Sequence, residues 1–306
     1  MPVTIVQDLK VELQAAVQAA VPSSVLSPLI QTIPTMEDLV NVYGLGSGPR
    51  IKRVRGEIVT VRLNEHQFNL KPEKFGAGIE FDVDRMDHHV IGDQYSAAIN
   101  KLAQAAVDYP AEHFLTEVMP ALSSDPGWDG VAFFSANHPI ADANGMGAVQ
   151  SNIVDTTVVD PNDLTMTEAI TAWRATLEKL RTMKNNNGAY INRAFSKLLL
   201  FTGVHNGTIM EQLFSMPLLP GGGGAPNPYV TNAVTVVPTP ELTDESEMML
   251  FDVSNEAPIL YARQIDVTTK EGVENVKSQT KPVVAYLKLD GAGVYYQKGV
   301  KLTLSV

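Results

Sequence analysis

DGVAFFSANHP, Asp129 to Pro139, places a carboxylate, a glycine, two adjacent aromatics and a histidine followed by proline in one short stretch. An Asp and a His in a single loop invite a catalytic or metal-binding reading, so the question is what the rest of the chain supplies for them to work with. It supplies little. There is no GxSxG elbow, HExxH, Walker loop, EF-hand loop or complete GxGxxG, and GLGSG at Gly44 to Gly48 stops short of the last. The chain has no cysteine, which removes disulfides, thiolate nucleophiles and cysteine-ligated zinc. A hydrolase or metal enzyme using Asp129 and His138 stays open as an alternative, because catalytic groups can converge only in the fold.

Upstream lies FDVDRMDHHVIGDQY, Phe81 to Tyr95, where Asp82, Asp84, Asp87 and Asp93 surround His88 and His89. Those residue types suit a metal, but their spacing does not converge on one point, and acids at a helix start follow from the helix dipole and capping. Beyond them Tyr95, Ile99, Leu102, Ala106 and Tyr109 recur at steps of four and three. That period predicts a helix from Gln94 to Met119, nearly 40 Å long at about 1.5 Å per residue and the longest element of the chain. Pro110 inside it predicts a kink.

Further back, RIKRVRGEIVTVRLNEHQFNLKPEKFGAGIEFDV alternates polar Glu57, Thr60 and Arg62 with Ile58, Val59, Val61 and Leu63. The alternation predicts a strand ribbon from Arg50 to Val83. A two-stranded ribbon alone in water is marginal, so its partner is expected in another chain. Before it, Thr4 to Ala20 has a helical apolar stripe of Val6, Leu9, Leu13, Ala16 and Val17, and Pro22, Pro28 and Pro34 then interrupt any regular element. This reads as an arm.

The formal charge of −11 argues against a duplex-DNA reader, which needs a concentrated basic face. The distribution is uneven, with Arg50, Lys52, Arg53, Arg55 and Arg62 in one region and Glu241, Asp244, Glu245 and Glu247 in another. Such patches are a nucleic-acid site beside an acidic face, surfaces that meet between copies, or two solvated loops. At 306 residues and 33.2 kDa the chain forms one elaborated domain or two connected ones. No long apolar run or signal-peptide pattern occurs, so a soluble protein without a cleaved signal is expected.

Downstream of the opening stretch, Met166, Ile170, Trp173, Leu177 and Leu180 predict a helix from Met166 to about Met183. Thr165 and Glu168 form a capping box, Leu164 and Ala169 a hydrophobic staple, and NNNG the stop. FSKLLLFTG reads as a strand, and a short helix follows around Met210 to Phe214. Gly221 to Gly224 lack the Gly-Lys-Ser/Thr ending of a phosphate loop and read as a flexible loop. AVTVVPTP, EMMLFDV and PILYARQIDVT read as strands, and the C-terminal segment as a hairpin turning at Asp290-Gly291. The class is α+β.

An arm, a charged ribbon, FDVDRMDHHVIGDQY entering a long helix, and then DGVAFFSANHP resembles the major head subunit family of Mu-like bacteriophages. The resemblance continues through the helix around Trp173, the strand FSKLLLF, and Asn227-Pro228 followed by AVTVVPTP; HHVIGDQY departs from the more acidic form of the entry segment. The resemblance implies the α+β tailed-bacteriophage major capsid fold of the Hong Kong 97 type. Residues 1–49 would be the N-terminal arm, 50–83 the E-loop, 84–124 and 262–306 the P-domain with its spine helix, and 125–261 the A-domain.

The resemblance also implies the function: a major capsid protein that self-assembles through hexamers and pentamers into an icosahedral shell enclosing packaged double-stranded DNA, without sequence-specific binding. Scaffolding, portal and decoration proteins would be its partners, with no cofactor, metal or membrane. Assembly would take place in the host bacterial cytoplasm and the product would be the virion. In the E-loop, Arg50, Lys52, Arg53, Arg55 and Arg62 would make contacts between neighbouring copies, and Tyr95, Ile99, Leu102, Ala106 and Tyr109 would pack the spine. Asp129, Gly130, Phe133, Phe134 and His138 would form a structural turn: the phenylalanines anchor it in a core, Gly130 permits close packing and His138 hydrogen-bonds the loop. The shell protein of a cellular nanocompartment with the same fold is the alternative, distinguished by an enzyme cargo in place of DNA.

Overall fold

The computed structural model describes residues 11, 13–19, 25–45, 65–82, 92–127, 129–141, 147–185, 188–192, 194–218, 226–231, 233–271 and 280–306. Two sheets organise them. In the first, β1 (Ile30–Pro34) runs parallel to β11 (Ile259–Glu271), which pairs antiparallel with β12 (Thr280–Gly293), and that in turn with β4 (Glu73–Asp82). In the second, the order is β7 (Ile153–Thr157), β13 (Gly299–Ser305), β10 (Glu247–Asp252), β8 (Leu198–Thr202) and β9 (Val234–Pro238). A ribbon of β2 (Val40–Leu45) and β3 (Glu65–Leu70) and a hairpin of β5 (His138–Ala141) and β6 (Gly147–Gln150) stand apart as pairs.

The long helix packs on the first sheet. Its regular part is Gly92–His113, followed by a π turn, Phe114–Val118, and a last helical turn, Met119–Ala121. Ile99, Leu102 and Ala106 are buried against Phe81, Val283 and Ala285 of β4 and β12, and Leu13 of the arm closes the same cluster. Residues 11 and 13–19 are helical. Pro110 stays inside the regular helix, and the α ladder gives way afterwards, where the Met119 N–H reaches back to Phe114 O. A widened turn is one of the known ways a helix absorbs a break. Pro120 then occupies the first turn of the closing piece, where its missing N–H needs no partner.

The second sheet divides the core. Leu198 and Leu200 of β8 and Met248 and Leu250 of β10 face one side with Trp173 and Phe214. Leu199, Phe201, Met249 and Phe251 face the other with Phe114, Phe133, Phe134 and Tyr261. Both faces being covered explains why β8 reads as a continuous apolar run, LLLF, and not an alternation. The helix covering the first face is Met166–Thr182, with Thr165 as its cap and the Glu168 carboxylate returning to the Thr165 N–H at 2.9 Å. Leu164 and Ala169, the staple pair, share the same buried cluster. Trp173 meets Phe214 edge-on, their rings 4.8 Å apart.

Three expectations need correction. The Asp290-Gly291 hairpin does not exist: β12 runs straight through both residues, and β13 leaves for the other sheet to pair with β10 and β7. Glycine is needed at 291 because a Cβ there would lie 2.6 Å from the Tyr261 ring, while the Asp290 carboxylate accepts from the Lys71 N–H of the incoming strand at 2.7 Å. Second, the expected Arg50 to Val83 ribbon does not lack a partner in its own chain along its whole length. Its last part is β4, paired with β12 from Glu73 to Asp82. Third, the helix expected around Met210 to Phe214 spans Val204–Ser215. Its N-cap Gly203 has no side chain to offer, so Glu245, distant in sequence, caps it by accepting from the His205 and Asn206 N–H groups at 3.0 and 3.2 Å.

Candidate functional site

The chain leaves the long helix through a tight turn in which the Gly130 N–H bonds Gly127 O and the Gly127 N–H bonds Val131 O at 2.7 Å. Gly130 has φ +82°, a left-handed conformation that a side chain disfavours. Nothing lies within 4 Å of where its Cβ would be, so its role is conformational, and the expectation of close packing is corrected. Close approach occurs instead at Gly293 and Gly299, where an added Cβ would stand 2.3 and 2.5 Å from the Phe133 ring. Phe133 and Phe134 meet edge-to-face at 5.0 Å, and both contact Phe251. Each is 3% exposed.

His138 is fully buried. Its Nδ1 lies 2.7 Å from Asp129 Oδ2, its Nε2 donates to Phe133 O at 3.0 Å, and its ring lies flat on Tyr296, centroids 3.6 Å apart. Asn152 adds to the same point, donating from Nδ2 to Phe133 O at 2.7 Å and to Tyr296 O at 3.2 Å, and accepting from the Ser135 N–H at 2.9 Å. Gln150 Nε2 reaches both the Tyr296 hydroxyl and Lys184 O. Burial pushes the Tyr296 phenol up to about 12, so it stays a neutral hydrogen-bonding group at ordinary pH. A catalytic base needs a free nitrogen within reach of a substrate proton. His138 has neither exposure nor an uncommitted nitrogen, and Asp129, with a side chain 4% exposed, is turned inward against it. The group locks a loop to β6, β7 and the segment before β13.

Sequence reasoning missed Asn152, Gln150, Tyr296, Gly293 and Gly299. The partners lie far along the chain from the loop, and an Asn or Gly in a strand-like segment carries no local mark of such a role.

Of the other residues singled out by sequence, Ile99, Leu102 and Ala106 line the buried face of the long helix, and Tyr109 contacts Phe75 at 5.0 Å on the neighbouring cluster. The side chain of Tyr95, the basic residues Arg50, Lys52, Arg53, Arg55 and Arg62, the pair His88 and His89, and Gly221 to Gly224 lie outside the described residues. The acidic patch is engaged internally. Glu241 accepts from the Thr239 hydroxyl, Asp244 from the Ser246 N–H and hydroxyl, Glu245 caps a helix, and Glu247 pairs with Lys301 at 2.6 Å. Those carboxylates hold turns and a strand.

The family described as Mu-like prophage major head subunit gpT matches residues 4–167, more than half of the chain. The chain matches none of the curated protein sequences. Among solved structures it resembles the procapsid of bacteriophage JBD30, with TM-score 0.54 and 11% identity over 99% of this chain and 76% of that one. It also resembles the virus-like particle of Pyrococcus furiosus, with TM-score 0.53 and 13% identity over 98% and 99% of the two chains. The capsid of an empty GTA particle gives TM-score 0.58 and 10% identity over 94% and 93%. At these identities the likeness speaks for the fold, which is the Hong Kong 97 capsid type.

Proposed function

The chain belongs to the Mu-like prophage major head subunit family, and from that premise we propose that its copies join as hexamers and pentamers into an icosahedral shell around packaged double-stranded DNA. It is a major capsid protein, a structural component of the virion and not an enzyme. Assembly takes place in the host bacterial cytoplasm, with scaffolding, portal and decoration proteins as partners. The long helix and the four-stranded sheet form the P-domain, and the five-stranded sheet with its two helices forms the A-domain, which takes back Gly299–Ser305. Residues 1–29 act as the arm, and the E-loop is the ribbon of Val40–Leu45 and Glu65–Leu70 with the chain between them.

One observation carries the role of that ribbon. Among the described residues its two strands pair into a sheet with each other and with no third strand, while Leu70 and Val40 at its base pack on Leu260, Ala262 and Val294, and the segment joining them holds Arg50, Lys52, Arg53, Arg55 and Arg62. Symmetric assemblies bury such elements against neighbours. The acidic balance of the subunit suits a container whose DNA is packed and released without tight binding.

Arg53→Glu with Arg55→Glu tests this role: the subunit keeps its circular dichroism spectrum but sediments without shells. Normal particles from that variant would take the ribbon out of assembly. Particles made together with the proteins encoded beside this one hold nuclease-resistant double-stranded DNA. An enzyme cargo in its place would favour a nanocompartment.

A further inference from the structure

Along one side of the helix Met166–Thr182, cations lie on aromatic rings. The Arg174 guanidinium is 5.5 Å from the centroid of Tyr229, with Nε donating to the phenol oxygen at 2.6 Å. The Arg181 guanidinium is 5.8 Å from Phe195, and just past the helix end the Lys184 ammonium is 5.2 Å from Tyr190. Two helical turns separate Arg174 from Arg181, so both stand on one ridge, about 10 Å apart at 1.5 Å per residue. The two arginines are exposed and Lys184 is half-buried. Among the described residues no carboxylate pairs with any of the three, Glu178 on the same ridge included. Lys288, Lys298 and Lys301 elsewhere are matched with Asp38, Glu256 and Glu247. In a chain of formal charge −11, a line of cations left without acids is an exception that internal pairing does not explain.

The chemistry of the line fits a regularly charged anion. A ring under each cation fixes its position beforehand, which cuts the entropy lost on binding. Tyr229 takes only Nε of Arg174, so the terminal nitrogens keep the planar fork that matches a phosphate. Because a cation already lies on each ring, the rings do not serve as platforms for unpaired bases, which favours a duplex backbone over a single strand. We propose that Arg174, Arg181 and Lys184 contact the phosphates of the packaged duplex, so that the face of the five-stranded sheet covered by this helix turns to the shell interior. The assignment rests on the shell reading above. With a slope of about 0.9 per phosphate, such a contact weakens about fortyfold between 50 and 200 mM salt. It is sequence-blind and readily broken, as a container that must release its contents requires.

Phenylglyoxal modification of arginine, read by mass spectrometry, tests the contact in DNA-filled particles and in the same particles after they are emptied. Arg174 and Arg181 are expected to react at least fivefold more slowly in the filled ones. Equal rates overturn the contact and leave the shell reading standing; wild-type protein that never forms particles overturns both. Independently, the purified subunit is titrated with a 30-base-pair duplex over a series of salt concentrations. Arg174→Gln with Arg181→Gln and Lys184→Gln lowers the slope of log affinity against log salt by about 2 to 3. The control, Lys74→Gln with Lys270→Gln, removes two cations that share the Tyr286 ring on the other sheet and leaves the slope unchanged. No binding by the wild type, or the same slope for the triple variant, overturns the assignment. Polyglutamate bound in place of the duplex would give the line to an acidic protein segment and overturn it as well.

Discussion

The ring of His138 lies on the ring of Tyr296 with planes 2° from parallel and centroids 3.6 Å apart, while Asp129 and Phe133 O hold the two nitrogens. The arrangement joins the turn after the long helix to the segment that enters the last strand. It makes His138 a structural residue, and its removal a matter of stability.

His138→Ala removes the stack, two hydrogen bonds and the partner of a buried carboxylate. Breaking one side of a buried pair costs about 3–5 kcal/mol. Urea unfolding of the isolated subunit is expected to show a loss of that order, with Asp129→Ala similar and the double variant less than the sum. Simple additivity of the two losses would mean that the residues do not act as a pair.

Two glycines are expected to fail for different reasons. Gly130→Ala meets backbone strain, about 1–2 kcal/mol for a left-handed residue. Gly293→Ala meets the Phe133 ring, an overpacking cost of about 1–3 kcal/mol or more. Phe133→Leu added to each separates them: it relieves part of the Gly293→Ala penalty and none of that of Gly130→Ala. Equal relief of both would contradict the assignment of Gly130 to conformation.

Removing the helix cap isolates a local effect. Thr165→Ala deletes the hydroxyl that accepts from the Glu168 N–H and donates to its carboxylate, a loss of about 1 kcal/mol by denaturant unfolding. Trp173 fluorescence follows the same transition, since that ring sits on this helix.

Acid weakens the subunit through His113. Its ring is buried against Tyr261, with Nδ1 3.0 Å from the phenol oxygen, and desolvation lowers its affinity for a proton more than Asp290, Glu117 and Glu73 raise it. The unfolded chain takes up that proton near pH 6.5 and the folded chain does not. Stability is therefore lost as pH falls through about 6.5. Glu168 and Asp244, held below the usual carboxylate range chiefly by hydrogen bonds from Thr165 and Ser246, add to the loss at lower pH. His113→Gln flattens the stability profile between pH 7 and 5.5 in thermal unfolding. An unchanged slope would remove His113 as its source.

Local signals suffice where local chemistry decides the structure. The step of four and three placed the long helix, and the Thr165–Glu168 box placed the start of the next. Long-range decisions were not legible. Asp290-Gly291 carries the strongest short hairpin signal, yet the Tyr261 ring demands that glycine and the carboxylate serves the Lys71 N–H. The start of the helix Val204–Ser215 depends on Glu245, a cap that belongs to another segment. At the site, Asp129, Phe133, Phe134 and His138 stood out because they are contiguous. Asn152 and Tyr296 complete the same cluster and could not, since only the fold brings them there.

The central claim is that this subunit builds a closed shell, and electron microscopy of the purified recombinant protein tests it most directly, alone and with the proteins encoded beside it. The account predicts closed particles, tubes, or rings of five and six subunits. A persistent monomer in every preparation would contradict it.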